Sequence, residues 1–254
     1  MKHLRFDILD STNSFLTQRL RSCPEEINDG LVVSCGFQGA GRGQAGNSWE
    51  SAAGANALFS VALRQLQLPA TEHFAITQWV ALAMCDCLEK YLADKKDFLH
   101  IKWPNDIYFQ DKKLAGILIE SLIQGRNIED CVCGIGLNIN QEEFFSDAPN
   151  PISLRKITGM TFADIPAMIE DIAREILQLK NDFTEGRLNR STLQDCYMKR
   201  LYRLGEWHRF QEQEHDYVFE ARILNVLPDG RLQLETKNEG CVRVFAFKEI
   251  KFVM

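Results

Sequence analysis

Residues 97–140 read DFLHIKWPNDIYFQDKKLAGILIESLIQGRNIEDCVCGIGLNIN, and they decide the fold class. Asp97-FLHIKW reads as a strand ending at Pro104. Asp106-IYFQ-Asp111 then turns through Asp111-Lys112 into the apolar run from Lys113 to Glu120. Gly125-Arg126-Asn127 turns the chain again into Glu129–Asn140, where Cys131, Cys133 and Ile135 share one strand face. Strands that follow one another through turns, with no helix between them, predict an α+β architecture. A regular βαβ alternation is not present.

Outward from this stretch, Gly30–Gln38 and Ala55–Arg64 read as buried strands, and Ser14–Leu20 as a short helix preceded by the polar cap Ser11-Thr12-Asn13. Thr71–Leu92 is a long apolar helix, with Thr71 as its cap and Glu72 in its first turn. Downstream, Pro149, Pro151, Gly159 and Pro166 punctuate a connector. A helix follows with Ile165, Ile169, Ile172, Ile176 and Phe183 along one face, then another over Ser191–Tyr202. After Gly205 the pattern changes to short alternating strands, Tyr217–Leu227, Arg231–Lys237 and Val242–Val253, with turns at Pro228-Asp229-Gly230 and Asn238-Glu239-Gly240. The division expected is a larger part over 1–205 and a small β-barrel-like unit over 206–254.

Composition narrows the class. The 254 residues are 45% apolar with a net charge of −6, which is ordinary for a globular chain. The longest strictly apolar run, Trp79–Cys85, falls far short of the ~20 residues that span a bilayer. The opening MKHLRFDILD alternates apolar and polar residues and carries no signal-peptide core, so a cytoplasmic location is expected. Eight cysteines then read as reduced thiols, and two C-x-C pairs without any C-x-x-C are poor zinc spacing. Mild acidity argues against broad nucleic-acid or anionic-membrane binding, while leaving room for a local basic pocket.

Three short motifs carry chemistry. Gly41-Arg42-Gly43-Gln44-Ala45-Gly46 matches G-x-G-x-x-G, but Asn47–Gly54 is turn-like and Gln65-Leu66-Gln67 offers no acid at the required distance. Both facts argue against dinucleotide binding. The loop still presents backbone N–H groups and Arg42, a permanent cation suited to phosphate; a surface loop with one solvated arginine is the plain alternative. Lys102-Trp103-Pro104-Asn105-Asp106 packs a cation, an aromatic, an amide and a carboxylate around a proline that fixes the backbone. Asp106 beside Asn105 can orient a hydroxyl or amine, or hold Mg²⁺; a polar turn is the alternative. Lys113 leads an apolar strand, either reaching solvent or serving as a pocket cation. Gly134 and Gly136 stand where a strand interior normally wants side chains, as in a bulge or against a ligand.

Taken together, Ser11-Thr12-Asn13, GRGQAGNSW at 41–49, KWPNDIY at 102–108, KKLAGILIE at 112–120 and GIGLNIN at 134–140 closely resemble the biotin protein ligases, in that family's order and over residues 8–140. The resemblance implies a central mixed β-sheet flanked by helices, of the class II aminoacyl-tRNA-synthetase-like kind, followed by a C-terminal SH3-like β domain. It implies a ligase that joins biotin to ATP as biotinyl-5′-AMP, with Mg²⁺. The biotinyl group then passes to a lysine of a biotin carboxyl carrier protein domain. By resemblance, Ser11, Thr12, Asn13 and Gln38 hold the ureido ring, and Gly41, Arg42, Gly43, Lys113, Gly116 and Gly136 complete the biotin site. Gln44, Trp49, Asn105 and Asn138 serve the adenylate together with Arg42 and Lys113. Arg42, Lys113 and Asp106 are the expected catalytic residues, with Asp106 serving the nucleotide, Mg²⁺ or the incoming amine.

Lipoate–protein ligases and octanoyl transferases resemble the same fold, and a catalytically inactive binding protein is a further reading. Many relatives have arginine where this chain has Gln44, a loss worth about 1 kcal/mol of charge-assisted hold on an adenylate. With Ser11 so near the start, no DNA-binding module is expected to precede it, so no repressor function is anticipated. The resemblance leaves monomer and homodimer both open.

Overall fold

The computed structural model describes residues 1–145, 150–238 and 240–253; Pro149 of the expected connector and Glu239 of the expected turn lie outside them. Eight strands form the main sheet: β1 (His3–Leu9), β2 (Val32–Gln38), β3 (Ala57–Leu63), β4 (Leu68–Pro69), β5 (Leu99–Lys102), β6 (Asp106–Phe109), β7 (Lys112–Gln124) and β8 (Asn127–Leu137). Their order is β1-β2-β3-β8-β7-β6-β5, with β4 pairing β8. The β1–β2 pair is parallel, while the β5–β6–β7–β8 meander is antiparallel, as the opening stretch of sequence predicts.

Alternation along the strands divides the core. Val32, Phe59, Val61, Cys131 and Cys133 face α2 (Phe74–Leu92), α4 (Ile165–Thr184) and α5 (Arg190–Lys199) in the large apolar core. Val33, Ala62 and Val132 face the opposite side, where Leu16 and Leu20 of α1 (Thr12–Ser22) cover them. Cys131 and Cys133 lie with their sulfurs 3.7 Å apart in the buried interior, so the C-x-C pair packs core. A short helix, α3 (Leu154–Thr158), follows the connector, capped by Ser153.

Three local expectations need correction. Ser11-Thr12-Asn13 does not precede the helix. Ser11 is the cap, accepting the Ser14 N–H, and Thr12 and Asn13 form the first turn. Thr71 does not cap α2. A 3-10 turn over Ala70–Glu72 intervenes and the helix starts at Phe74, whose ring is buried, while Glu72 pairs with Arg190. The stretch Val242–Val253 is two strands, broken where Lys248 takes a positive φ of 73°.

Those two strands close a second, five-stranded antiparallel sheet: β9 (Trp207–Glu212), β10 (Tyr217–Val226), β11 (Leu232–Thr236), β12 (Val242–Phe245) and β13 (Ile250–Phe252), ordered β12-β11-β10-β9-β13. It meets the main sheet at the β5–β6 end. There the Trp103 indole N–H donates to Gly230 O at 2.8 Å, and the Tyr202 ring lies 5.9 Å from Phe252. Among the described residues, no helix is long and apolar enough to cross a membrane.

Candidate active site

The face of the sheet that carries α1 runs out of side chains toward the β5–β6 end. Ser60 of β3 lies opposite Gly134 of β8, and Gly136 lies opposite Gly116 of β7. The hollow left by these small residues is a cavity of about 590 Å³, and seven separate stretches of the chain wall it.

Its polar end is built by α1. Thr12 Oγ1 donates to Gln38 Oε1 at 3.2 Å, and the Thr12 backbone N–H donates to the same oxygen at 2.8 Å. Ser60 Oγ stands 2.8 Å from both Thr12 Oγ1 and Asn13 Oδ1. Asn13 is buried, and its amide donates to Glu120 Oε2 at 2.8 Å and to Leu118 O at 3.4 Å. The Asn13 carboxamide fills the space above Gly134 that a side chain there would need. Ser11, Thr12 and Ser60 are equally buried, so this end is a prearranged hydrogen-bonding surface with little water.

The glycine-rich loop forms the lid. Gly43 N–H donates to Asn47 O at 2.7 Å and Trp49 N–H to Gly41 O at 2.9 Å, which folds the loop back on itself. A side chain at Gly41 would approach Trp49 O to 2.5 Å, so glycine is needed there by the loop itself. The Trp49 indole lies on Gly116 and Gly136, with Lys113 Nζ 5.6 Å from its centre. Trp49 Nε1 and Gln44 Oε1 are buried without hydrogen-bond partners, and both residues line the cavity. Arg42 Nη2 donates to Glu120 Oε1 at 2.9 Å, and Nη1 to Ser14 Oγ at 3.1 Å.

The cationic wall comes from the turn at 102–106. The Trp103–Pro104 peptide bond is cis. The Asn105 amide donates to Ile117 O, and Ile117 N–H donates to Asn105 O at 2.9 Å, locking the turn to β7. Asp106 then meets Lys113 Nζ at 2.8 Å, both partly buried. Lys102 Nζ donates to Tyr108 OH at 3.1 Å and sits between the Tyr108 and Phe252 rings. Burial lowers the Lys102 pKa below the usual lysine range, with the Asp106 carboxylate opposing that shift. Arg42, Lys102 and Lys113 thus stand round one cavity whose single acid, among the described residues, is Asp106.

Of the residues singled out from sequence, Ser11, Thr12, Asn13, Gln38, Arg42, Gly43, Gln44, Trp49, Asn105, Asp106, Lys113, Gly116 and Gly136 line this cavity. Gly41 and Asn138 stand outside its lining. Asn138 is buried behind the wall, donating to Ile152 O at 3.2 Å and so fastening the connector to β8. Sequence reasoning missed Ser60, Glu120 and the wall given by Phe247, Ile250, Lys251 and Phe252. A serine in an otherwise apolar strand and a glutamate ending the LAGILI run were the available signals for the first two.

A mixed sheet with a partly polar cavity, four lining cations and a tryptophan-bearing loop over it is an arrangement suited to a small anionic ligand with a hydrogen-bonding head. The chain belongs to the Biotin/lipoate A/B protein ligase family, whose model matches residues 6–138. It is 37% identical over 132 residues to the bifunctional ligase/repressor BirA of Escherichia coli strain K12, an alignment covering 52% of this chain and 39% of that protein. It is 30% identical to the biotin–[acetyl-CoA-carboxylase] ligase of Mycobacterium tuberculosis, covering 67% of this chain and 62% of the relative. The structure of biotin protein ligase from Aquifex aeolicus in complex with biotin and ATP superposes with a TM-score of 0.75 at 21% identity, covering 99% of this chain and 98% of that one. That likeness extends through the C-terminal sheet and concerns the fold. The chain spans about two fifths of the length of the first curated relatives it matches.

Proposed function

We propose that this protein is an ATP-dependent biotin protein ligase that forms biotinyl-5′-AMP and transfers the biotinyl group to a lysine of a biotin carboxyl carrier protein domain. The observation that carries the reading is the cavity's polarity. A dry donor-and-acceptor end at Ser11, Thr12, Asn13 and Gln38 suits a ureido ring. Lys102 and Lys113 on the wall at 102–106, with Arg42 of the loop beside α1, suit a carboxylate and phosphates. The name of the Mycobacterium tuberculosis relative supports biotin as the acid.

In the first step a biotin carboxylate oxygen attacks the α-phosphorus of ATP and the bond to pyrophosphate breaks. Two anions must meet in line, and Lys113 is the ammonium suited to neutralise both. Its 2.8 Å pair with Asp106 keeps that ammonium in the cavity before substrate enters. Arg42 supports the biotin and adenylate, and Gly41 and Gly43 leave room for the loop's close approaches to Trp49 and Asn47. Gln44 and Trp49, whose buried Oε1 and Nε1 lack partners, suit the adenylate, Trp49 covering the base. Asn105 and Asn138 act by holding the turn and the connector in place. Mg²⁺ fits this site through Asp106 together with phosphate oxygens, and when bound it neutralises the triphosphate. In the second step the carrier lysine's amine attacks the acyl carbon and AMP departs. The functional division we assign is a ligase part over 1–205 and an SH3-like part over 206–254 that completes the wall.

Biotin-dependent exchange of labelled pyrophosphate into ATP tests the reading. Exchange with biotin and none with lipoate is expected. Exchange with lipoate or octanoate alone would favour the other acyl ligases of the family, and none with any acid would reject the enzyme.

A further inference from the structure

We propose that Glu120 is a positioning residue for this cavity, clamping the glycine-rich loop to the sheet through Arg42; the effect on biotin rests on the function proposed above. Three side chains from two parts of the chain, the loop and α1, converge on its carboxylate. Oε1 accepts Arg42 Nη2 at 2.9 Å. Oε2 accepts Asn13 Nδ2 at 2.8 Å and Thr17 Oγ1 at 3.4 Å. Glu120 is not part of the cavity lining, whereas Arg42 and Asn13 both are. It therefore acts on a ligand through them.

Arg42 is the one basic residue between Gly39 and Gly54, so the Glu120 pair is the charge link open to this loop's only cation. A role confined to seating α1 would involve Asn13 and Thr17 alone. Backbone bonds from Gly39 and Ala40 to Leu9 O and Asp10 O tie the start of the segment to the end of β1, and beyond them Arg42, through Glu120 and Ser14 Oγ, restrains the part that folds on itself and carries the Trp49 indole onto Gly116 and Gly136. The pair is partly exposed, with Arg42 at 49% and Glu120 at 25% side-chain accessibility. It is therefore strong enough to bias the loop and weak enough to release it.

Hydrogen exchange of residues 39–49 in the ligand-free protein tests the clamp, and calorimetric titration with biotin tests its consequence. Glu120→Gln keeps an oxygen for Asn13 and removes the charge. It should speed exchange in the loop about fivefold, the scale of one surface ion pair, and weaken biotin binding by a similar factor, with exchange in α1 unchanged. Thr17→Ala, which touches Glu120 and not the loop, should leave loop exchange as it was. A second measurement needs no substitution: raising salt to about 0.5 M should speed loop exchange in the native chain, because screening weakens the pair. Loop exchange indifferent to both Glu120→Gln and salt would overturn the proposal, as would an equal response to Thr17→Ala. A loop that responds in a native chain that binds no biotin would uphold the clamp and refute the ligand.

Discussion

Gly134 and Gly136 lie two residues apart on one face of β8, yet alanine at each should fail differently. Neither has a positive φ, so both can take a side chain without backbone strain, and what the new methyl meets decides the outcome. At Gly136 it meets the Trp49 indole, which belongs to the loop and can swing away. Overfilling a packed contact costs about 1–3 kcal/mol. Loop displacement would express that cost as lost ligand affinity, about 5- to 150-fold at ~1.4 kcal/mol per decade. At Gly134 the methyl meets the Asn13 carboxamide, which is buried and held by Glu120, Leu118 and Ser60. Displacing it forfeits a charge-assisted bond to Glu120 and two neutral ones with Leu118 and Ser60, about 4 kcal/mol together. For a chain of this size that lowers Tm by roughly 8–16 °C. Thermal melts of the ligand-free proteins and calorimetric titration with biotin separate the two effects. Gly136→Ala should melt within about 2 °C of the native chain, on the same scale, and bind biotin weakly. If it binds like the native chain, or melts as low as Gly134→Ala, the assignment of Gly136 as the seat of Trp49 is wrong.

Other expectations follow from the same geometry. Lys113→Gln should abolish biotin-dependent pyrophosphate exchange while leaving the melt near native; retained exchange would reject Lys113 as the bridging cation. Gln44→Arg should slow escape of biotinyl-AMP about fivefold or more, read by stopped-flow, since a second loop cation adds about 1 kcal/mol or more of charge-assisted hold; an unchanged rate would remove Gln44 from the adenylate site. Because burial lowers the Lys102 pKa, Lys102 loses its charge as pH rises, before an ordinary lysine would. The KM for ATP should therefore climb on the alkaline side below the usual lysine range, and Lys102→Arg should erase that limb. Burial pushes Cys35 and Cys87 up to about 11 and Cys85 to about 12, while Cys196 is exposed. Iodoacetamide at pH 8 should label Cys196 in the native chain and spare those three, as peptide mass spectrometry would show.

The hairpin series at 97–140 and the helix period at 165–183 were legible because each follows a local repeat. The motif residues converged for the same reason: Ser11, Arg42, Lys113 and Gly136 lie at strand ends and turns, which one sheet end gathers together. Thr71 misled because the onset of α2 is governed by where Phe74 can bury and by the Glu72–Arg190 pair, which are tertiary facts. Asn138, expected at the adenylate, donates to Ile152 O and fastens the connector, since an asparagine at a strand end serves backbone carbonyls as readily as a substrate. Phe247, Lys251 and Phe252 escaped notice because a short β segment bears no mark of the surface it will cover.

The wall at Phe247–Phe252 also has a consequence for the order in which the protein becomes competent on the ribosome. A nascent chain that has emerged as far as Asn140 displays every recognisable motif and already contains the whole family-matched region. It still lacks one side of the cavity, because that side is encoded more than a hundred residues later. Competence should therefore wait until that wall has emerged. Fragments divided after Gly205 would each hold an incomplete cavity, which makes that point a place to cut the chain into two halves whose reunion can be read out as activity.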